Sequence, residues 1–88
     1  MKNVLSDFQE EISKIMREGD KNDVKPFTYS LISLAWGEFC VVNEDAIDEK
    51  EVKSVAEEVR QAIEIMNPEL YIDIILLKKL LKILDEYQ

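Results

Sequence analysis

The chain has no histidine, one cysteine, two glycines, two prolines and only two arginines. Each scarcity removes a chemistry. Without imidazole there is no common zinc ligand, no base for a serine nucleophile, and no side chain that titrates unperturbed near neutrality. The single cysteine, Cys40, forms no internal disulfide; in the most apolar stretch it reads as a small buried residue, which fits a reducing interior. Gly19 and Gly37 stand too far apart to build a phosphate cradle. Arg17 and Arg60 form no cationic cluster of the kind a dicarboxylate substrate needs. The run 20–25 has Asp, Asn and Asp but lacks the glycine and closing glutamate of a calcium loop.

The longest run almost free of charge, 27–43, is shorter than the ~20 residues a membrane span requires, and its serines and Glu38 argue further against one. No secretory leader is recognised at the start of the sequence, so a cytoplasmic setting is expected. Nineteen acidic residues oppose eleven basic ones, a net charge of −8. Only Lys78, Lys79 and Lys82 cluster, so direct binding to nucleic acid phosphates is disfavoured. The acidic excess points to solubility or to a basic partner. Abundant Glu, Lys, Ile, Leu and Val with little Gln or Thr resembles the balance of thermophile proteins.

What is present is helical periodicity. Val4, Phe8, Ile12, Ile15 and Met16 recur at helical spacing, predicting a first helix from residue 3 or 6 to 18, with Gly19 as its stop. Pro26 suits the first turn of a second helix over 27–42. That helix carries one charge, Glu38, and is expected to be the buried centre of the molecule. Its bulky residues, among them Phe27, Leu31, Leu34, Ala35, Trp36 and Phe39, sweep a broad arc. Ser30, Ser33, Gly37 and Cys40 form a strip of small side chains where another helix can approach closely.

Asp48 with Glu51 has capping-box form, placing a third helix from 48 to 66 with Val52, Val55, Ala56, Val59, Ala62, Ile63 and Met66 inward. Asn67-Pro68 reads as the cap and first turn of a fourth helix reaching 86. Its apolar arc, about 200°, exceeds the ~100° that one seat in a bundle requires. The fold expected is all-α, a four-helix up-down-up-down bundle in one domain, 1–88, with helices two and four the most buried.

Function is less legible. Asp73 falls within the apolar arc of the fourth helix and Glu38 beside that of the second. A carboxylate in such a setting must be paired, neutralised or at an edge, and the edge is the expectation for Asp73. Pairing with a lysine or an exposed seam is expected for Glu38. Small all-helical nucleotide pyrophosphohydrolases hold magnesium with carboxylate pairs three residues apart on facing helices. Here only Asp45, Asp48 and Glu51 stand so spaced, and they straddle a helix start.

The leading reading is a non-enzymatic interaction module, an accessory or regulatory subunit with no cofactor or bound metal. Its partner is another protein chain, in a hetero-complex or a homodimer. The surface expected to meet it comprises Ser30, Ser33, Gly37, Asp73, Leu77, Leu80 and Leu84. An alternative is an acidic inhibitor or immunity-type protein that covers a basic site with Glu44, Asp45, Asp48, Glu49 and Glu51. A magnesium-dependent hydrolase is a further alternative.

Overall fold

The computed structural model describes residues 4–41 and 47–87, with the backbone but not the side chain of Val4. All regular structure among them is helical: α1 (Val4–Asn22), α2 (Pro26–Trp36) continued by a π-helical segment (Gly37–Val41), α3 (Glu49–Ile65) and α4 (Tyr71–Glu86). The Cα radius of gyration is 12.5 Å, close to the ~12 Å expected of a compact chain of this length. No described helix is long and apolar enough to cross a membrane.

Helix α1 does not stop at Gly19. It runs on to Asn22, whose side chain donates back to the Glu18 carbonyl at 2.8 Å, and the chain turns at Asp23, the non-glycine residue with positive φ (52°). Aspartate tolerates that left-handed conformation better than most residues. Gly19 is buried within the helix facing α2, and a Cβ there would lie 3.4 Å from Ile32 Cδ1, an ordinary contact.

Helix α2 begins as the sequence predicts, with Lys25 extended and Pro26 in the first turn. It is not a uniformly buried centre. Thr28, Leu31, Ile32, Ala35 and Phe39 face inward, whereas Phe27, Leu34 and Trp36 of the expected core arc are 51%, 37% and 36% exposed. The reason is how few neighbours it has. Helix α2 packs mainly on α1 and only lightly on α3 and α4, while α4 packs on both α3 and α1. A helix with one main partner buries one stripe, whatever its composition.

Helix α3 follows expectation. Asp48 is its N-cap, accepting from the Lys50 amide at 2.9 Å, and Val52, Val55, Ala56, Val59 and Ala62 are buried. Helix α4 starts later than predicted. The Asn67 side chain accepts from the Glu69 amide at 2.9 Å and its carbonyl from the Leu70 amide, so 67–70 is a tight turn and Asn67-Pro68 does not open the helix. Burial is spread over all four helices. Ile12, Ile32, Val59, Leu77 and Leu80 each show no exposed surface, and sealing a side chain of this kind from water stabilises by about 1.5–3 kcal/mol before entropy is counted. Phe8 joins the far end, with its ring centroid 4.2 Å from Tyr87 and 5.6 Å from Phe39.

Candidate interaction surface

Asp73 organises one end of the molecule. It lies in the first turn of α4, is only 6% exposed, and its Oδ2 accepts from the Lys25 amide at 2.9 Å and from the Thr28 hydroxyl at 2.7 Å. Lys25 is the N-cap of α2 and supplies no side-chain cap, so α4 provides the acceptor that α2 lacks. The carboxylate therefore sits at the positive ends of two helices, which offsets the cost of its burial. The expected edge position is corrected: Asp73 is inside, and it is paired. Thr28, absent from the sequence expectations, is its buried partner. The discernible signal was a hydroxyl in the first turn of α2 and a carboxylate in the first turn of α4, both on otherwise apolar faces.

This tie fixes what surrounds it. Phe27 lies between the two anchored positions and points outward. Across from it α3 ends at Ile65, and the 67–70 turn brings Leu70 alongside. Lys25, Phe27, Thr28, Ile65, Met66, Asn67 and Leu70 line a recess of about 360 Å³. Its rim includes the most exposed apolar residue of those described, Ile65, at 79%, and Tyr71, the next residue after Leu70, is 64% exposed. Further along α4, Ile72 and Ile75 are 40% and 49% exposed.

The residues expected at a partner surface divide. Leu77, Leu80 and Leu84 are at most 1% exposed and belong to the intramolecular core; of the wide apolar arc of α4, Ile72 is 40% exposed, while Tyr71 and Ile75 are exposed on the lysine-bearing side of the helix, outside that arc. Ser30 is exposed, its hydroxyl donating to the Phe27 carbonyl at 2.7 Å. Ser33 and Gly37 are half-buried, and a Cβ on Gly37 would meet nothing within 4 Å. The small-residue strip thus seats no close intramolecular neighbour at Gly37. Cys40, by contrast, turns against α1. Its thiol donates to the Gln9 carbonyl at 3.3 Å and receives the Ser13 hydroxyl at 3.9 Å, while Gln9 Nε2 donates to the Phe39 carbonyl at 2.7 Å. Burial pushes the Cys40 thiol above its ordinary value, partly offset by the Ser13 hydroxyl.

Of the acidic segment, Glu44 and Asp45 lie outside the described residues. Asp48, Glu49 and Glu51 are all exposed at the start of α3, where they suit its positive end. Among the described residues no three His, Cys, Asp or Glu side chains gather to hold a metal ion. Glu38 occupies the exposed position. Arg60 links α3 to α4, contacting Glu57 at 2.7 Å and Asp85 at 3.2 Å, and Lys79 reaches Glu18 at 3.6 Å.

Comparison of the chain with protein-family models, with characterised proteins and with solved structures finds no match.

Proposed function

We propose that this chain is a non-enzymatic interaction module, a small accessory or regulatory subunit of an intracellular assembly. In this reading the recess at the Asp73 end receives an apolar anchor side chain of a partner protein. One observation carries it: Phe27 and Ile65, each more than half exposed, line a largely apolar cavity of about 360 Å³. Interfaces draw most of their affinity from a few large side chains desolvated in such recesses. A monomer gains nothing by presenting two large apolar side chains together to water.

The uses found for the polar groups support binding over catalysis. Asp73 and Thr28 cap a helix, Asp48 caps another, and Arg60 ties two together. The bundle we propose is up-down-up-down. Asp73 joins the starts of α2 and α4 at one end, and Phe8, Phe39 and Tyr87 join the start of α1 to the ends of the α2 region and α4 at the other; both support that arrangement.

Photo-crosslinking in the source cells tests the interaction. A crosslinker at Tyr71 should give one discrete adduct that is absent when the crosslinker is at Lys53, on the outer face of α3. The adduct should disappear when Ile65→Glu is added. Equal labelling at Tyr71 and Lys53, or an adduct indifferent to Ile65→Glu, overturns the reading.

A further inference from the structure

We infer that the outward stripe of α4 is a second docking surface, and that it takes an acidic amphipathic helix of a partner protein. Tyr71, Ile75, Lys78 and Lys82 follow one another at steps of four, three and four residues, which keeps them on one line of an α-helix. Helix α4 is regular α-helix from Tyr71 to Glu86, so the line is unbroken and runs for roughly 16 Å at 1.5 Å of rise per residue. It lies opposite the face that carries Leu76, Leu77, Leu80 and Leu84 into the core. Tyr71 and Ile75 are 64% and 49% exposed, Ile72 beside them is 40% exposed, and the lysines of α4 are all exposed.

Charge selects the occupant. The chain carries −8, yet between Asp73 and Asp85 its only ionised side chains are Lys78, Lys79 and Lys82. Asp73 is buried and turned inward, and Asp85 is held by Arg60. Lys79 reaches Glu18, but among the described residues Lys78 and Lys82 form no ion pair. A cationic patch on an otherwise acidic molecule attracts a carboxylate-bearing partner and fixes its position. The partner must also be narrow. Duplex nucleic acid or an anionic bilayer would meet the surrounding carboxylates as well, whereas a helix about 10–12 Å wide covers the stripe alone. The order of the side chains sets its direction. Carboxylates favour the N-terminal part of a helix, so an antiparallel partner lays its acidic first turns over Lys78 and Lys82 and its apolar last turns over Tyr71 and Ile75. One helix face is small for an interface, so the complex is weak and reversible. Salt weakens it, as it weakens one on the carboxylates of α3, and the sign of the partner's charge tells the two apart.

The stripe shares no residue with the recess, and the experiment keeps the two apart. The probe is a synthetic helical peptide with glutamates in its first turns and leucines in its last, at the steps that match the stripe; its twin carries lysines in place of the glutamates. Titrated into the isotope-labelled protein, the acidic peptide should give saturable amide NMR shifts at Tyr71, Ile75, Lys78 and Lys82, and the twin should give none. Lys78→Glu with Lys82→Glu, its helicity checked by circular dichroism, should bind the acidic peptide roughly tenfold more weakly and should accept the lysine twin. If that variant fails to fold, Lys78→Gln with Lys82→Gln tests the loss of binding. Ile65→Glu should bind the acidic peptide as the wild type does. No saturable shift, equal shifts from both peptides, or a double variant that binds as the wild type overturns the inference, and so do stronger shifts of the same residues by phosphatidylserine vesicles or duplex DNA.

Discussion

Asp73 shows how one carboxylate substitutes for local capping at a distance of 45 residues in sequence. Its Oδ2 receives the Thr28 hydroxyl and the Lys25 amide. Removing it leaves the buried Thr28 hydroxyl unsatisfied and the part-buried Lys25 amide without its acceptor, and a buried unsatisfied donor costs about 1–3 kcal/mol. Asp73→Ala should therefore lose about 3 kcal/mol in urea unfolding at neutral pH, and Thr28→Val about 1 kcal/mol. Because the two groups share one bond, the double variant should lose measurably less than the sum of the singles. Strict additivity would show that the bond contributes nothing. Cys40 gives a residue-level prediction in pH. Burial raises its folded pKa above the ordinary 9.0, so the neutral thiol's contribution is fully present below that value and is lost as pH rises through the folded pKa. The unfolding midpoint of the wild type should fall more steeply above pH 9 than that of Cys40→Ala, the difference between them reporting the thiol alone. Parallel curves would mean that the folded thiol titrates as an unfolded one does.

At the level of elements, the helices whose apolar stripes were narrow were the legible ones. The inward face of α3 and its Asp48 cap were readable because capping and periodicity depend on neighbours in sequence alone. The errors fell where a residue type carries two meanings that only a distant contact decides. Gly19 reads as a helix stop, but α1 runs through it because the helix packs on against Ile32, which a Cβ at this position would meet only at ordinary contact distance. Phe27 and Leu34 read as core because composition does not reveal how many neighbours a helix has. The Gly19 assignment has a measurable consequence. An alanine there gains about 1 kcal/mol of helix propensity, and its Cβ would meet the flexible tip of Ile32 at 3.4 Å, an ordinary contact. Gly19→Ala should thus raise stability, by roughly 0.5 kcal/mol after the Ile32 tip adjusts, whereas Gly19→Val should lower it by about 1–3 kcal/mol through overpacking. Were Gly19 a C-terminal stop with left-handed geometry, alanine would be the destabilising change, so thermal unfolding of the two variants separates the accounts.

For the molecule as a whole, charge is the feature on which stability and association both turn. The ion pairs between Lys14 and Glu10, Arg60 and Glu57, Arg60 and Asp85, and Lys79 and Glu18 all have side chains at least 44% exposed. Exposed pairs are worth about 0–1 kcal/mol each, while a net charge of −8 repels itself throughout the compact state. Salt weakens both, but the surplus carboxylates have no compensating cations, so repulsion loses more to screening than the ion pairs do. Adding salt to about 0.5 M, where the screening length drops to between roughly 3 and 8 Å, should raise the thermal midpoint. A complex in which the acidic start of α3, with Asp48, Glu49 and Glu51, covers a basic partner must behave in the opposite way, weakening steeply as salt rises. The direction of the salt dependence therefore identifies the surface in use: binding that tolerates salt points to the apolar recess, and weakening with a basic partner points to the carboxylates of α3.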